Sequence, residues 1–150
     1  MSARNQVIPI IGLAAIIAAG IYMVVQLEGQ EATAIRGNFT NAQQAEVRDA
    51  QGQAILQGPF VQVDEEDEDI ERKATLKATG IDPDAAGEAE VEFAKSAPTS
   101  QEIEFTLRGL DAGATYTLVI DGQVVTTAKA DTRGRAEVEL DVKFADASAR

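Results

Sequence analysis

The chain of 150 residues contains no cysteine and no histidine. Without cysteine it has no disulfide, no thiolate nucleophile and no zinc–sulfur site. Without histidine it lacks the usual general base near neutral pH and the commonest transition-metal ligand. Most haem and chlorophyll sites also need a histidine as their axial ligand. The sequence therefore predicts no cofactor and no metal site.

Other signatures of catalysis are missing as well. The chain has no glycine-rich phosphate loop after a strand and no serine in a nucleophile-elbow setting. Paired carboxylates can hydrolyse glycosides, but the acids here alternate along predicted strands, where they face solvent. We predict that the protein is not an enzyme and has no catalytic residue.

Basic residues are scarce: 13 lysines and arginines stand against 25 acids. All 25 acids follow the apolar stretch near the amino terminus, as do 12 of the 13 basic residues, so the remainder carries −13. This balance argues against nucleic acid and against a domain lying on anionic lipid, since both require a basic surface. It permits a basic protein partner or cations, although the charge can also simply keep the domain soluble.

One long apolar run is present, the uncharged stretch Val7–Leu27. At about 1.5 Å per residue it can cross a hydrocarbon core of about 30 Å as a helix. Arg4 precedes it and Glu28 follows it, so the positive-inside rule places residues 1–6 in the cytoplasm. We predict one transmembrane helix in a bacterial inner membrane, with the remainder in the periplasm. The alternative is a signal peptide cleaved at Ala32-Thr33-Ala34.

Small residues form a stripe along this predicted helix: Gly12, Ala15 and Ala19 are spaced for one face. Such a stripe lets a second helix approach closely in lipid. It predicts packing against other transmembrane subunits, although an alanine-rich composition alone can produce the same spacing.

The rest of the chain has the pattern of an antiparallel β-sandwich of about seven to nine strands. Residues 28–37 have no apolar period and are assigned as a tether, residues 38–145 as the domain, and residues 146–150 as a tail. Apolar residues alternate with charged ones within short runs, such as 88–93, 101–108 and 135–143. One buried and one charged face is typical of antiparallel sheets that cover each other.

Turn signals separate these runs. Asp121-Gly122 is a hairpin signal, and the pattern Asp-x-x-Gly-x-Ala occurs three times. In that pattern the aspartate can bond its own backbone and the glycine supplies a positive φ. The predicted turn residues are Asp49, Gly52, Asp84, Gly87, Asp121, Gly122, Asp131 and Gly134.

The most conspicuous polar feature is an acidic run followed by Glu71. It consists of Asp64, Glu65, Glu66, Asp67, Glu68 and Asp69. It could dock a basic partner by electrostatic attraction or bind Ca²⁺, although the alternating ligand loop with its central glycine is absent. The simplest interpretation is a solvated loop.

The carboxy-terminal half, FTLRGLDAGATYTLVIDGQVVTTAKADTRGRAEVEL, resembles β modules of exported bacterial proteins. In those modules Gly-Leu-x-x-Gly, Asp-Gly and Asp-x-x-Gly turns recur in this order, and the resemblance covers about residues 70–142. It implies an immunoglobulin-like or superoxide-dismutase-like outline. The metal-binding histidines of superoxide dismutase have no counterpart here. More loosely, one anchor with one sandwich is similar to the scaffold polypeptides of a bacterial photosynthetic reaction-centre–antenna complex.

These observations predict a non-catalytic accessory subunit that stabilises a bacterial membrane complex from its periplasmic face. A photosynthetic reaction-centre–light-harvesting assembly is one candidate complex. Two alternatives remain open. The chain could be an independent tethered module for adhesion or ligand binding, or an acidic docking aid for a basic electron carrier.

Overall fold

The computed structural model describes residues 16–18, 21–23, 37–63 and 68–144. Within the predicted anchor it shows two short antiparallel strands, β1 (Ile16–Ala18) and β2 (Ile21–Met23). The stripe residues Gly12, Ala15 and Ala19 lie outside the described residues, as does most of Val7–Leu27, so the helix stays a prediction. No helix in the described residues has the length and hydrophobicity needed to span a membrane.

Eight further strands form one antiparallel sheet in the order β10-β7-β6-β5-β4-β3-β8-β9. The described part of residues 37–144 contains no helix, so the predicted mainly β, antiparallel domain is confirmed. The strands are β3 (Gln44–Arg48), β4 (Ala54–Val63), β5 (Asp69–Ala78), β6 (Ala86–Ala94), β7 (Ser100–Arg108), β8 (Thr115–Ile120), β9 (Gln123–Lys129) and β10 (Ala136–Lys143).

The sheet curls until it is nearly barrel-shaped, so that its two end strands, β9 and β10, approach each other. The line along which β9 and β10 approach each other is called the seam. The connections β7–β8 and β9–β10 meet at one end of it. There the Leu110 N–H donates to the Gly134 carbonyl at 3.0 Å, and the Ala130 N–H donates to the Ala114 carbonyl at 2.9 Å. These bonds satisfy loop backbone groups that would otherwise be buried without partners.

The period-two pattern explains the core. Along β7 the residues Gln101, Ile103, Phe105 and Leu107 are buried, and the residues between them face outward. Phe105 is fully buried and is the largest such side chain in the described chain. The remaining core is mainly valine, leucine, isoleucine and alanine. These small side chains suit the narrow interior of a curled sheet.

The end of the sheet where the described domain begins at Gly37 is called the entry end, and the opposite end the distal end. At the entry end, Gln101 is the one buried polar residue of the described chain, with 2% of its surface exposed. Its Oε1 accepts from the Phe39 N–H at 2.9 Å, and its Nε2 donates to the Gly37 carbonyl at 2.8 Å. Gln101 therefore fixes where the chain enters the domain.

Asp121 makes a second fastening at the entry end. Its φ is +49° and that of Gly122 is +79°, the left-handed pair of a tight hairpin turn. Its carboxylate also accepts from the backbone N–H groups of Gln43 and Gln44, the shortest bond being 2.8 Å. The predicted turn residue thus joins the β8–β9 hairpin to the start of β3.

Candidate functional site, an acidic outer face

The central part of the outer surface of β6, β7 and β10 is almost entirely carboxylate, with Arg108 and Lys143 at its two ends. Cross-strand register places nine outward residues in three rows of three, and Thr106 is the single non-acid among them. The other eight positions form what we call the acidic face: Glu88, Glu90, Glu92, Glu102, Glu104, Glu137, Glu139 and Asp141. It arises because three strands with alternating acids lie side by side with their apolar residues turned inward.

Two rows of the acidic face consist wholly of directly opposed carboxylates. Glu104 lies between Glu90 and Glu139, and Glu102 lies between its partners on β6 and β10. Like charges directly opposite each other destabilise a sheet. The pKa of Glu102 is raised, first by desolvation of its charged form and then by repulsion from surrounding carboxylates, of which Glu139 acts most strongly.

This desolvation and repulsion give a testable effect of pH. Because the pKa of Glu102 is higher in the folded protein than its ordinary value of 4.5, the ionised group lowers stability at neutral pH. That cost is relieved as the pH falls through the raised pKa. We expect Glu102→Gln to raise the free energy of unfolding at pH 7 by up to about 1 kcal/mol. The gain should shrink toward pH 4.5 and in high salt.

Urea unfolding at both pH values measures this difference. Glu88→Gln is the control, since the facing residue on β7 is Thr106 rather than an acid. A stabilisation by Glu102→Gln that is the same at both pH values would contradict the repulsion argument.

Lys73 borders the acidic face on β5. The Lys73 Nζ lies 2.8 Å from Glu90 Oε1 and 2.9 Å from Glu71 Oε1. Hydrogen bonds to these carboxylates, that to Glu90 being the stronger, raise the pKa of Lys73 above its ordinary value. Lys73 thus neutralises part of the negative charge on the β6 side of the acidic face. Among the described residues, the acids of β7 and β10 form no salt bridge.

The predicted acidic run joins this surface at the entry end. Glu68 and Asp69 are described, and the Glu68 carbonyl accepts from the Lys95 N–H at 2.8 Å. Asp69 lines a cleft of about 230 Å³ together with Glu92 and Glu102. Asp64, Glu65, Glu66 and Asp67 lie outside the described residues. Across residues 37–63 and 68–144, no cluster of acids is arranged to hold a metal ion.

Two copies of the Asp-x-x-Gly-x-Ala pattern form the same turn at the distal end. The Oδ1 of Asp49 accepts from the N–H groups of residues 51 and 53, both at 2.9 Å. The Oδ1 of Asp131 accepts from Arg133 at 2.7 Å and Arg135 at 3.0 Å. The Arg135 bond first, then that from Arg133, lowers the pKa of Asp131. The stability that these bonds give the folded protein is fully present above the ordinary pKa of 3.8. It is lost as the pH falls through the lowered pKa of Asp131.

The second copy of the pattern does not repeat this turn, which corrects the prediction for Gly87. Asp84 lies in a turn, but Gly87 is the second residue of β6 and has no left-handed φ. A Cβ on Gly87 would lie 2.7 Å from the Thr106 carbonyl oxygen, so glycine is needed there for close strand packing. Pairing with β7 overrides the local turn pattern.

No protein-family model matches the chain, and no curated protein or solved structure matches it either.

Proposed function

We propose that the chain is a non-catalytic accessory subunit of a bacterial membrane complex. In this proposal Val7–Leu27 anchors it in the inner membrane and packs against other transmembrane subunits through Gly12, Ala15 and Ala19. The domain then contacts a basic surface of a partner on the periplasmic side. The observation that carries the proposal is the acidic face, which gathers eight carboxylates on three adjacent strands.

The electrostatics of the acidic face favour contact with a basic protein. Directly opposed acids cost the free domain stability, and a basic surface set against them would relieve that cost. Charge complementarity of this kind raises association rates and fixes orientation, and salt weakens it. A basic electron carrier is a second candidate partner, and it would bind the same surface transiently.

The finer outline of the domain is part of this proposal. The resemblance to exported bacterial modules implies an immunoglobulin-like or superoxide-dismutase-like sandwich. Its support is a core enclosed between opposed parts of one curled antiparallel sheet. A scaffold subunit of a photosynthetic reaction-centre–antenna complex is one candidate for the role, because the proposed architecture of one anchor and one such domain is similar to it.

Native gel electrophoresis after mild detergent extraction tests the proposal on the full chain. At low ionic strength we expect the chain to migrate with a complex much larger than itself. We expect Glu102→Gln/Glu139→Gln to release a larger fraction as free chain, because it removes two charges from the centre of the acidic face.

The matched control is Asp84→Asn/Asp111→Asn, which removes the same charge from exposed loops at the distal end. This variant should remain in the complex. Migration of the wild-type chain as a monomer at low salt would contradict the subunit proposal. Equal release by both variants would show that net charge, rather than the acidic face, governs the association.

A further inference from the structure

We propose that a basic cleft at the distal end binds a small phosphate-bearing ligand with at least two negative charges. The cleft has a volume of about 820 Å³ and lies at the distal end of the seam between β9 and β10. Four basic residues line it: Arg108, Lys129, Arg133 and Arg135. The ligand proposed for this site differs from the acidic-face partner, and each proposal can fail without the other, although Glu137 of the acidic face also lies on the wall of the cleft.

The concentration of positive charge is unusual for this chain. The whole sequence carries −12, yet four cations converge from the end of β7, the end of β9 and the β9–β10 turn. In the part of the chain that the structure describes, none of the four forms a salt bridge. No described carboxylate is therefore in direct ion-pair contact with these four groups.

The two acids on the wall of the cleft, Asp131 and Glu137, offset part of the positive charge but leave the lining basic overall. The Asp131 carboxylate accepts backbone N–H groups within its own turn, and Glu137 belongs to the acidic face. The turn that carries Arg133 and Arg135 is also rigid, because Gly134 packs directly against the Leu110 backbone. Binding would therefore have to order the two exposed arginine side chains but not the turn backbone.

Charge and size define the ligand class. Guanidinium groups bind phosphate through paired hydrogen bonds, and a phosphate ester carries about two negative charges near neutral pH. Four cations therefore match a diphosphate better than a single carboxylate. The cleft volume lies within the range of about 300–1,000 Å³ that is typical of small-molecule sites, so it can hold the organic part of such a ligand.

The phosphate group could belong to a soluble diphosphate or to a lipid headgroup. The nine residues of β7 separate the cleft from the entry end by about 30 Å at about 3.3 Å per residue. If the chain is anchored through its amino terminus, the cleft points away from that bilayer. A soluble ligand is therefore favoured.

Isothermal titration of the full chain in detergent with inorganic pyrophosphate tests the site, and vesicles of phosphatidylcholine with phosphatidic acid test the lipid source. We expect pyrophosphate to bind and Arg133→Gln/Arg135→Gln to weaken binding at least tenfold. The turn uses the backbone of these residues, so the melting temperature should stay close to that of the wild type. Lys77→Gln/Lys143→Gln, with the same charge change outside the cleft, should leave affinity within about twofold.

Each outcome is decisive. Pyrophosphate binding that only the arginine variant loses supports a soluble ligand. Binding to the vesicles alone, lost in the same variant, supports the site with a lipid headgroup as its source. No binding to either probe, or equal weakening by both variants, overturns the proposal.

Discussion

Gly134→Val is expected to lower the free energy of unfolding by about 2 to 6 kcal/mol. Gly134 has φ +71°, and a Cβ there would lie 2.2 Å from the Leu110 carbonyl oxygen. Strain of a side chain at such a φ costs about 1–3 kcal/mol, and overpacking adds about 1–3 kcal/mol. Domains of this size are stable by only about 5–15 kcal/mol, so a large fall in melting temperature should result.

Gly52→Val is the matched control for this substitution. Gly52 occupies the same position in the same turn with φ +79°, but a Cβ there would have no atom within 4 Å. It should cost only the backbone strain, about 1–3 kcal/mol. The difference between the two variants in urea unfolding measures the close approach at the β9–β10 seam. Equal losses would contradict that packing.

Gln101→Met is expected to lower the free energy of unfolding by about 2 to 6 kcal/mol. Methionine matches the length of glutamine but cannot bond the Phe39 N–H or the Gly37 carbonyl, both held by Gln101. Each buried group left without a partner costs about 1–3 kcal/mol. The entry segment should also loosen, so limited proteolysis near residues 37–39 should become faster.

Gln43→Met controls for the loss of a glutamine side chain. Gln43 is exposed, and its Nε2 donates to the Asn41 carbonyl at 2.8 Å. An exposed bond of this kind should contribute within about 0.5 kcal/mol. Unchanged stability in Gln101→Met would show that the entry segment is not held by Gln101.

The strands were largely predictable because burial imposes a period of two on each one. The predicted run 101–108 corresponds to β7 (Ser100–Arg108), and 88–93 lies within β6 (Ala86–Ala94). The turns at Gly52 and Gly134 also follow from local chemistry. These features depend on residues close together in sequence.

The candidate sites depend on pairings that the sequence does not display. The acids of β10 extend the acidic face only because that strand returns beside β7 rather than β9. Arg108 lies in the same cleft as Arg133 and Arg135 because β10 pairs with β7, with Ala136 opposite Leu107. The alternating glutamates of each strand were a usable signal, but their neighbours were unknown. Gly87 shows the same limit, since strand pairing overrides its turn pattern.

The central claim, that the acidic face contacts a basic partner, is tested most directly by site-specific photo-crosslinking in intact membranes. A photoreactive residue replaces Glu104 at the centre of the face or, as the control, the exposed Lys77 on β5. We predict a crosslinked product from position 104, mapped by mass spectrometry to a lysine- or arginine-rich segment of another membrane-complex subunit, and none from position 77. No product from position 104, or the same product from both positions, would contradict the claim.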